Sequence, residues 1–342
     1  MALDPSVELP SIGLLLGRLS SAAQLSERVD ALEDIKSLAA TQQKEVGRVA
    51  LPSLTDMLHA QPRDASVLKS ALAVLDVLCR PSAGGESSTG VVNADFVLDG
   101  DSTVDSLLDL LAEPDMWVRL NAITLLSTLA AARPKRVGRV ILECHAGMMK
   151  LMRILEDREE EVRNLLLVLL LSLTRSNVEV QNYCAFNECF DHFWGIMQQE
   201  GVWDGDAVVH DCLCILANIV ARNEMTGKLF MLSRCGSELQ QIVRPDPSRR
   251  AEHGDDWLVI ARAQCVVAHL VRYNADNVTA TGGDDMVREL RRRRVAQLAQ
   301  IQSQLADSGY LVAICGVALD HVAAAVVVPL EDEVDVDAAN AK

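Results

Sequence analysis

HAGMMKLMRILEDREEEVRNLLLVLLLSLTRSNVEVQNYCAF, residues 145–186, decides how this chain folds. Residues 147–155 alternate apolar and charged positions at helical spacing and read as an amphipathic helix. Residues 156–160 are a charged turn. Residues 162–174 then read as a longer helix, apolar on nearly every position and therefore expected to be buried on most sides. Ser176 and Asn177 break it, and residues 178–186 read as a third, short helix. Short, medium and long helices in one unit of about forty residues are the plan of an armadillo repeat.

Outward from this unit the same face recurs. Small or apolar residues stand at i, i+4 and i+7 in Ala31/Ile35/Leu38, Ala71/Leu75/Leu78, Ala122/Leu126/Leu129, Leu166/Leu170/Leu173, Cys212/Leu216/Ile219 and Ala263/Val267/Leu270. The last members lie 40, 51, 44, 46 and 51 residues apart. One unit cannot bury a helix as apolar as residues 162–174, whereas stacked neighbours can. The expected fold is therefore all-α, an armadillo-like right-handed α-solenoid over residues 1–330. Residues 81–102, rich in Gly, Ser and Asp, read as a mobile loop, and residues 245–256 and 274–285 as polar breaks. Residues 331–342 read as an acidic, disordered tail.

Composition narrows the function. The 342 residues carry a formal net charge of −16, which argues against a general nucleic-acid binder and against adhesion to anionic lipid. Apolar residues make up 49% but aromatics only 4%, a mix suited to helix-on-helix packing. The nine cysteines form no CxxC pair and fall mostly in apolar helical stretches, as expected in a reducing compartment. The amino terminus does not read as a signal peptide. Residues 311–330 are apolar enough to raise a membrane span, but Asp320 and His321 near their middle favour a buried repeat helix. Arg291, Arg292, Arg293 and Arg294 lie on a polar helix, either a solvated face or a docking patch.

No nucleophile elbow, zinc-protease motif, P-loop or dinucleotide fingerprint occurs. His210 with Cys212 and Cys214 is the nearest approach to a metal set, yet Cys212 falls on the buried repeat position. The expectation is no enzyme, no cofactor and no metal. Asn218 stands inside an apolar helix, where an armadillo asparagine can line a groove and grip an extended ligand, or can satisfy a neighbouring turn. The equivalent positions are Val77, Thr128, Ser172 and His269, so no asparagine ladder exists.

The middle of the chain resembles the head domain of the general vesicular transport factor family, golgin-type tethers of endoplasmic-reticulum-to-Golgi traffic. Leu107-Leu108-Asp109-Leu110-Leu111 with Val118-Arg119 is similar, as is Leu151-Met152-Arg153-Ile154-Leu155-Glu156-Asp157 with Val162-Arg163-Asn164. The most specific match is Leu173-Thr174-Arg175-Ser176-Asn177, Gln181, Ala185-Phe186-Asn187 and Phe190, continuing through Glu200-Gly201 and Asp211-Cys212-Leu213 to Asn218. The likeness is strong over residues 104–232 and colinear over about 25–310. It implies a dimeric armadillo head, peripheral at Golgi and vesicle membranes, that binds Rab-type small GTPases, golgins, SNAREs or tethering complexes. It implies no enzyme activity or cofactor. Arg175, Asn177, Phe186, Asn187 and Asn218 are the candidate binding positions. The family's coiled-coil rod has no counterpart here, since no sustained heptads occur. The chain thus reads as a fragment or a shortened relative. The alternative is a general armadillo scaffold in another intracellular pathway.

Overall fold

Three side chains show why the helices start where they do. Asp64 accepts hydrogen bonds from the backbone N–H groups of Ser66 and Val67, and Asp115 from those of Trp117 and Val118. Asn177 does the same for Glu179 and Val180. Each satisfies donors that a helix leaves open at its first turn.

A computed structural model describes residues 11–60, 63–81, 88–100, 102–175, 177–202, 207–221 and 223–243. Among them the chain forms fifteen α-helices. These are α1 (Ile12–Ser21), α2 (Leu25–Thr41), α3 (Gln43–His59), α4 (Ala65–Cys79), α5 (Thr89–Asp99), α6 (Thr103–Asp109), α7 (Met116–Ala132) and α8 (Pro134–Glu143). There follow α9 (Gly147–Met152), α10 (Glu160–Thr174), α11 (Val178–Phe186), α12 (Cys189–Gln199), α13 (Ala207–Val220), α14 (Glu224–Leu232) and α15 (Arg234–Val243). Both α6 and α9 run on into a short 3-10 turn. The chain divides into two compact units, Met1–His192 and Phe193–Lys342.

In the first unit the long helices α2, α4, α7 and α10 pack in series, each against the next. Their contact face is the repeated triplet: Ala31, Ile35, Ala71, Leu75, Leu78, Ala122, Leu126, Leu129, Leu166 and Leu170 are fully buried. In the second unit Cys212, Leu216 and Ile219 on α13 are buried in the same way. The architecture is the all-α, armadillo-like solenoid that the period implies. The triplet at Ala263, the breaks at 245–256 and 274–285, the arginine run, residues 311–330 and the acidic tail lie outside the described residues.

Ion pairs tie successive units edge to edge. Arg119 on α7 grips Asp157, just before α10, with two bonds of 2.8 and 2.9 Å, and also donates to the carbonyls of Glu113 and Pro114. One unit earlier, Lys69 reaches the cap residue Asp115 and Arg63 reaches Glu113. Arg119 belongs to the Val118-Arg119 pair that carries the family resemblance, so that motif is a splice between units.

One sequence expectation needs correction. The expected loop at 81–102 contains α5, whose Val91, Ala94, Val97 and Leu98 recur at helical spacing and are buried. Gly, Ser and Asp in the same stretch mask that face. The apolar helix α10 is buried on most sides, as its composition implies, with Val168 48% exposed and Leu165 and Leu171 half-buried.

Candidate interaction surface

The segment that joins α10 to α12 carries four of the five candidate residues, and the structure gives them different work. Asn177 is the cap of α11, as above. Asn187 closes the other end of α11: its side-chain amide donates to the Tyr183 carbonyl at 2.8 Å, and its backbone N–H to the carbonyls of Tyr183 and Cys184. Both are architectural. Arg175 is exposed where α10 ends, and Phe186 is 61% exposed at the end of α11. A benzyl group left in water contributes nothing to folding and is the sort of residue that interfaces use. Val178, on the same helix and at the same helical face as Phe186, is exposed as well. Asn218 belongs to the second unit and is buried on α13, which makes it an interior residue.

Several neighbouring matched residues are interior too. Thr174, Gln181, Ala185 and Phe190 are buried. Gln181 donates its amide to the Thr174 carbonyl at 2.8 Å, and Thr174 bonds back to Leu170. A long helix ends with carbonyls that lack partners, and here a side chain from the following short helix fills that role. The device recurs. Asn93 of α5 donates to the Leu78 carbonyl at 2.8 Å, and in the second unit Thr226 of α14 donates to the Ile219 carbonyl at 2.6 Å. Sequence reading met Gln181 only as part of the family match and passed over Asn93 and Thr226, although each is a polar side chain on the buried face of a short helix.

A second signal was missed. Val46-Gly47-Arg48-Val49 and Val137-Gly138-Arg139-Val140 are the same tetrapeptide. A Cβ on Gly47 would lie 2.6 Å from the Asn93 amide nitrogen, and one on Gly138 2.6 Å from that of Asn177. In both copies glycine lets α3 or α8 close onto the capping asparagine of a later helix.

Electrostatics bind the same helices. Asp95 on α5 faces Arg133, between α7 and α8, and Arg136 of α8, at 2.8 Å each. The hydrogen bond from Arg133 holds its carboxyl below the usual carboxylate range, against a smaller opposing effect of burial and with help from Arg136. Lys150 on α9 sits between Asp105 and Asp109 of α6 at 2.8 Å each. Burial pulls its ammonium down, but the two carboxylates outweigh that and leave it raised. Burial likewise pushes the Cys79 thiol far up, so it is inert. Among the described residues no cluster of His, Cys, Asp or Glu could hold a metal, and no helix is long and apolar enough to cross a membrane.

Stacked three-helix units and an apolar spine define the class: an armadillo-type α-solenoid. No family model matches the chain. It is 30% identical over 244 residues to the general vesicular transport factor p115 of Homo sapiens, across 69% of this chain and 25% of that protein. It is 31% identical over 207 residues to Golgin candidate 6 of Arabidopsis thaliana, across 58% of this chain and 22% of the relative. The intracellular protein transport protein uso1 of Schizosaccharomyces pombe is 26% identical over 262 residues, 76% of this chain and 24% of its own. A crystal structure of Uso1 matches with a TM-score of 0.67 at 21% identity, over 76% of this chain and 44% of that one. A computationally designed armadillo repeat protein for modular peptide recognition matches at 0.59 and 17%, over 75% and 98%. The chain is a homologue of the general vesicular transport factors. It spans about a quarter of the length of the curated relatives it matches.

Proposed function

We propose that this chain is the head of a vesicle-tethering factor that works by protein–protein binding in endoplasmic-reticulum-to-Golgi and intra-Golgi transport. The observation that carries the reading is its homology to vesicular transport factors across 69% of its residues. The partners by that reading are Rab-type small GTPases, golgins, SNAREs or tethering complexes. Attachment to Golgi and vesicle membranes is then peripheral and runs through those proteins, and a homodimer fits the same role. Arg175 and Phe186 are the candidate residues exposed for contacts, since Asn177 and Asn187 are spent on capping α11. The test is proximity labelling in cells with the chain as bait, beside pull-downs on GTP-loaded Rab proteins. Labelling of Golgi and vesicle proteins that falls in an Arg175→Ala/Phe186→Ala variant supports the reading. Diffuse labelling with no such partner refutes it.

A second reading, a general armadillo scaffold in another intracellular pathway, draws on the exposure of Trp117 and Val168 on the long helices. It predicts labelling of a coherent partner set away from the Golgi, unaffected by the Arg175 and Phe186 substitutions.

A further inference from the structure

The exposed faces of α7 and α10 hold apolar residues that the packing of the first unit leaves open. Trp117 is 55% exposed on α7 and Val168 48% exposed on α10, and these helices pack side by side. Leu120 on α7 and Leu165 and Leu171 on α10 are half-buried. Along α10, positions 161, 165, 168, 171 and 175 share one helical face, so the strip runs about 21 Å at 1.5 Å per residue. Its ends differ in charge. Glu159, Glu160 and Glu161 are exposed at the amino end, and Arg175 at the carboxyl end. The Arg119–Asp157 clamp holds the start of α7 beside the start of α10.

We propose that this strip receives an amphipathic α-helix of a protein partner. The partner helix carries Lys or Arg over the three glutamates, aliphatic residues over Leu165, Val168 and Leu171, and an acidic residue at Arg175. Charge complementarity sets its polarity. Backbone chemistry selects a helix over an extended segment. An extended chain laid on apolar surface brings N–H and C=O groups that need partners. The equivalent sites on α4, α7 and α10 are Val77, Thr128 and Ser172, with no amide among them, and the Thr128 hydroxyl is already given to Asp76 at 2.5 Å. A helix bonds its own backbone and asks the surface only for side-chain packing. The inference is independent of the transport reading, because purified protein and peptides test it without reference to any compartment.

The experiment is a phage-displayed library of helical peptides about four turns long. Leu or Met is fixed at i, i+3 and i+7, and the remaining positions are randomised. It is selected on the whole chain and counter-selected on Val168→Asp, whose circular dichroism must match the parent. Enriched peptides should be basic at one end and acidic at the other. They should bind Val168→Asp at least tenfold more weakly. A Glu160→Lys/Glu161→Lys variant should weaken them and should prefer copies with an acidic end in place of the basic one. Enrichment without charge polarity, equal binding to Val168→Asp, or equal binding by a proline-interrupted copy overturns the proposal. So does a Val168→Asp variant that loses self-association in light scattering, which would make a second copy the occupant.

Discussion

Replacing Gly138 by alanine should be almost neutral in the parent protein and stabilising once Asn177 is gone. The new methyl would sit 2.6 Å from the Asn177 amide nitrogen, inside any tolerable contact, while its next neighbours are 3.6 Å away. Relief requires the Asn177 side chain to swing off, which breaks its bonds to the N–H groups of Glu179 and Val180. Losing such a cap costs about 1 kcal/mol. Against this, alanine in a helix interior gains about 1 kcal/mol over glycine. The two nearly cancel. In an Asn177→Ala background the cap is already lost, the obstruction is absent, and only the gain of about 1 kcal/mol remains. Asn177→Ala alone should cost about 1 kcal/mol, or roughly 2–4 °C in a unit of this size. Urea unfolding of the four proteins, followed by far-UV circular dichroism, gives the coupling as a double-mutant cycle. Equal effects of Gly138→Ala in both backgrounds would refute the claim that glycine is there to admit the asparagine.

Leu170→Ala, at a fully buried position between α7 and α10, should cost about 3–4 kcal/mol, a drop of roughly 6–16 °C by scanning calorimetry. Arg119→Ala strands the Asp157 carboxylate, whose side chain is 8% exposed, and should cost about 3–5 kcal/mol. The double variant Arg119→Ala/Asp157→Ala should be the more stable of the two in the same urea assay. Asp95 is held below its ordinary carboxylate range, so its stabilisation is present above about pH 4 and is lost as pH falls through the folded-state value. Asp95→Asn should therefore be less stable than the parent at pH 7, with the gap closing in strong acid, in unfolding curves taken across pH. Phe186→Ala should shift stability by less than about 0.5 kcal/mol yet reduce partner capture in the pull-downs. A large loss of stability would instead mean that the ring packs.

The spine of this fold is legible because its periodicity is strong: a residue on the face of Leu126 or Leu170 has no reason to be apolar except burial by a neighbour. The cap at Asn177 is legible from the break it makes. Helix α5 was not, because its four buried apolar positions stand among Gly90, Asn93 and two aspartates. Asn93 itself is there to meet the end of α4, and a tertiary bond leaves no mark in local composition. The open strip on α10 was hidden for the opposite reason. Leu165, Val168 and Leu171 look like core residues, and hydropathy cannot say which apolar face lacks a neighbour. The candidate set mixed two kinds of residue for a related cause: a motif match marks Asn177 and Phe186 equally, and only exposure separates the cap from the contact.

At the ends of α4, α10 and α13 a backbone carbonyl is met by a side chain of the helix that follows. A piece of this protein cut after Thr174 would keep the whole of α10 but expose a carbonyl that Gln181 normally occupies. A cut after Asn187 would keep both partners. Stable pieces should therefore end behind a short helix and not at a repeat boundary drawn from hydrophobic period alone. Proteolysis of a partly unfolded array should pause at those same places.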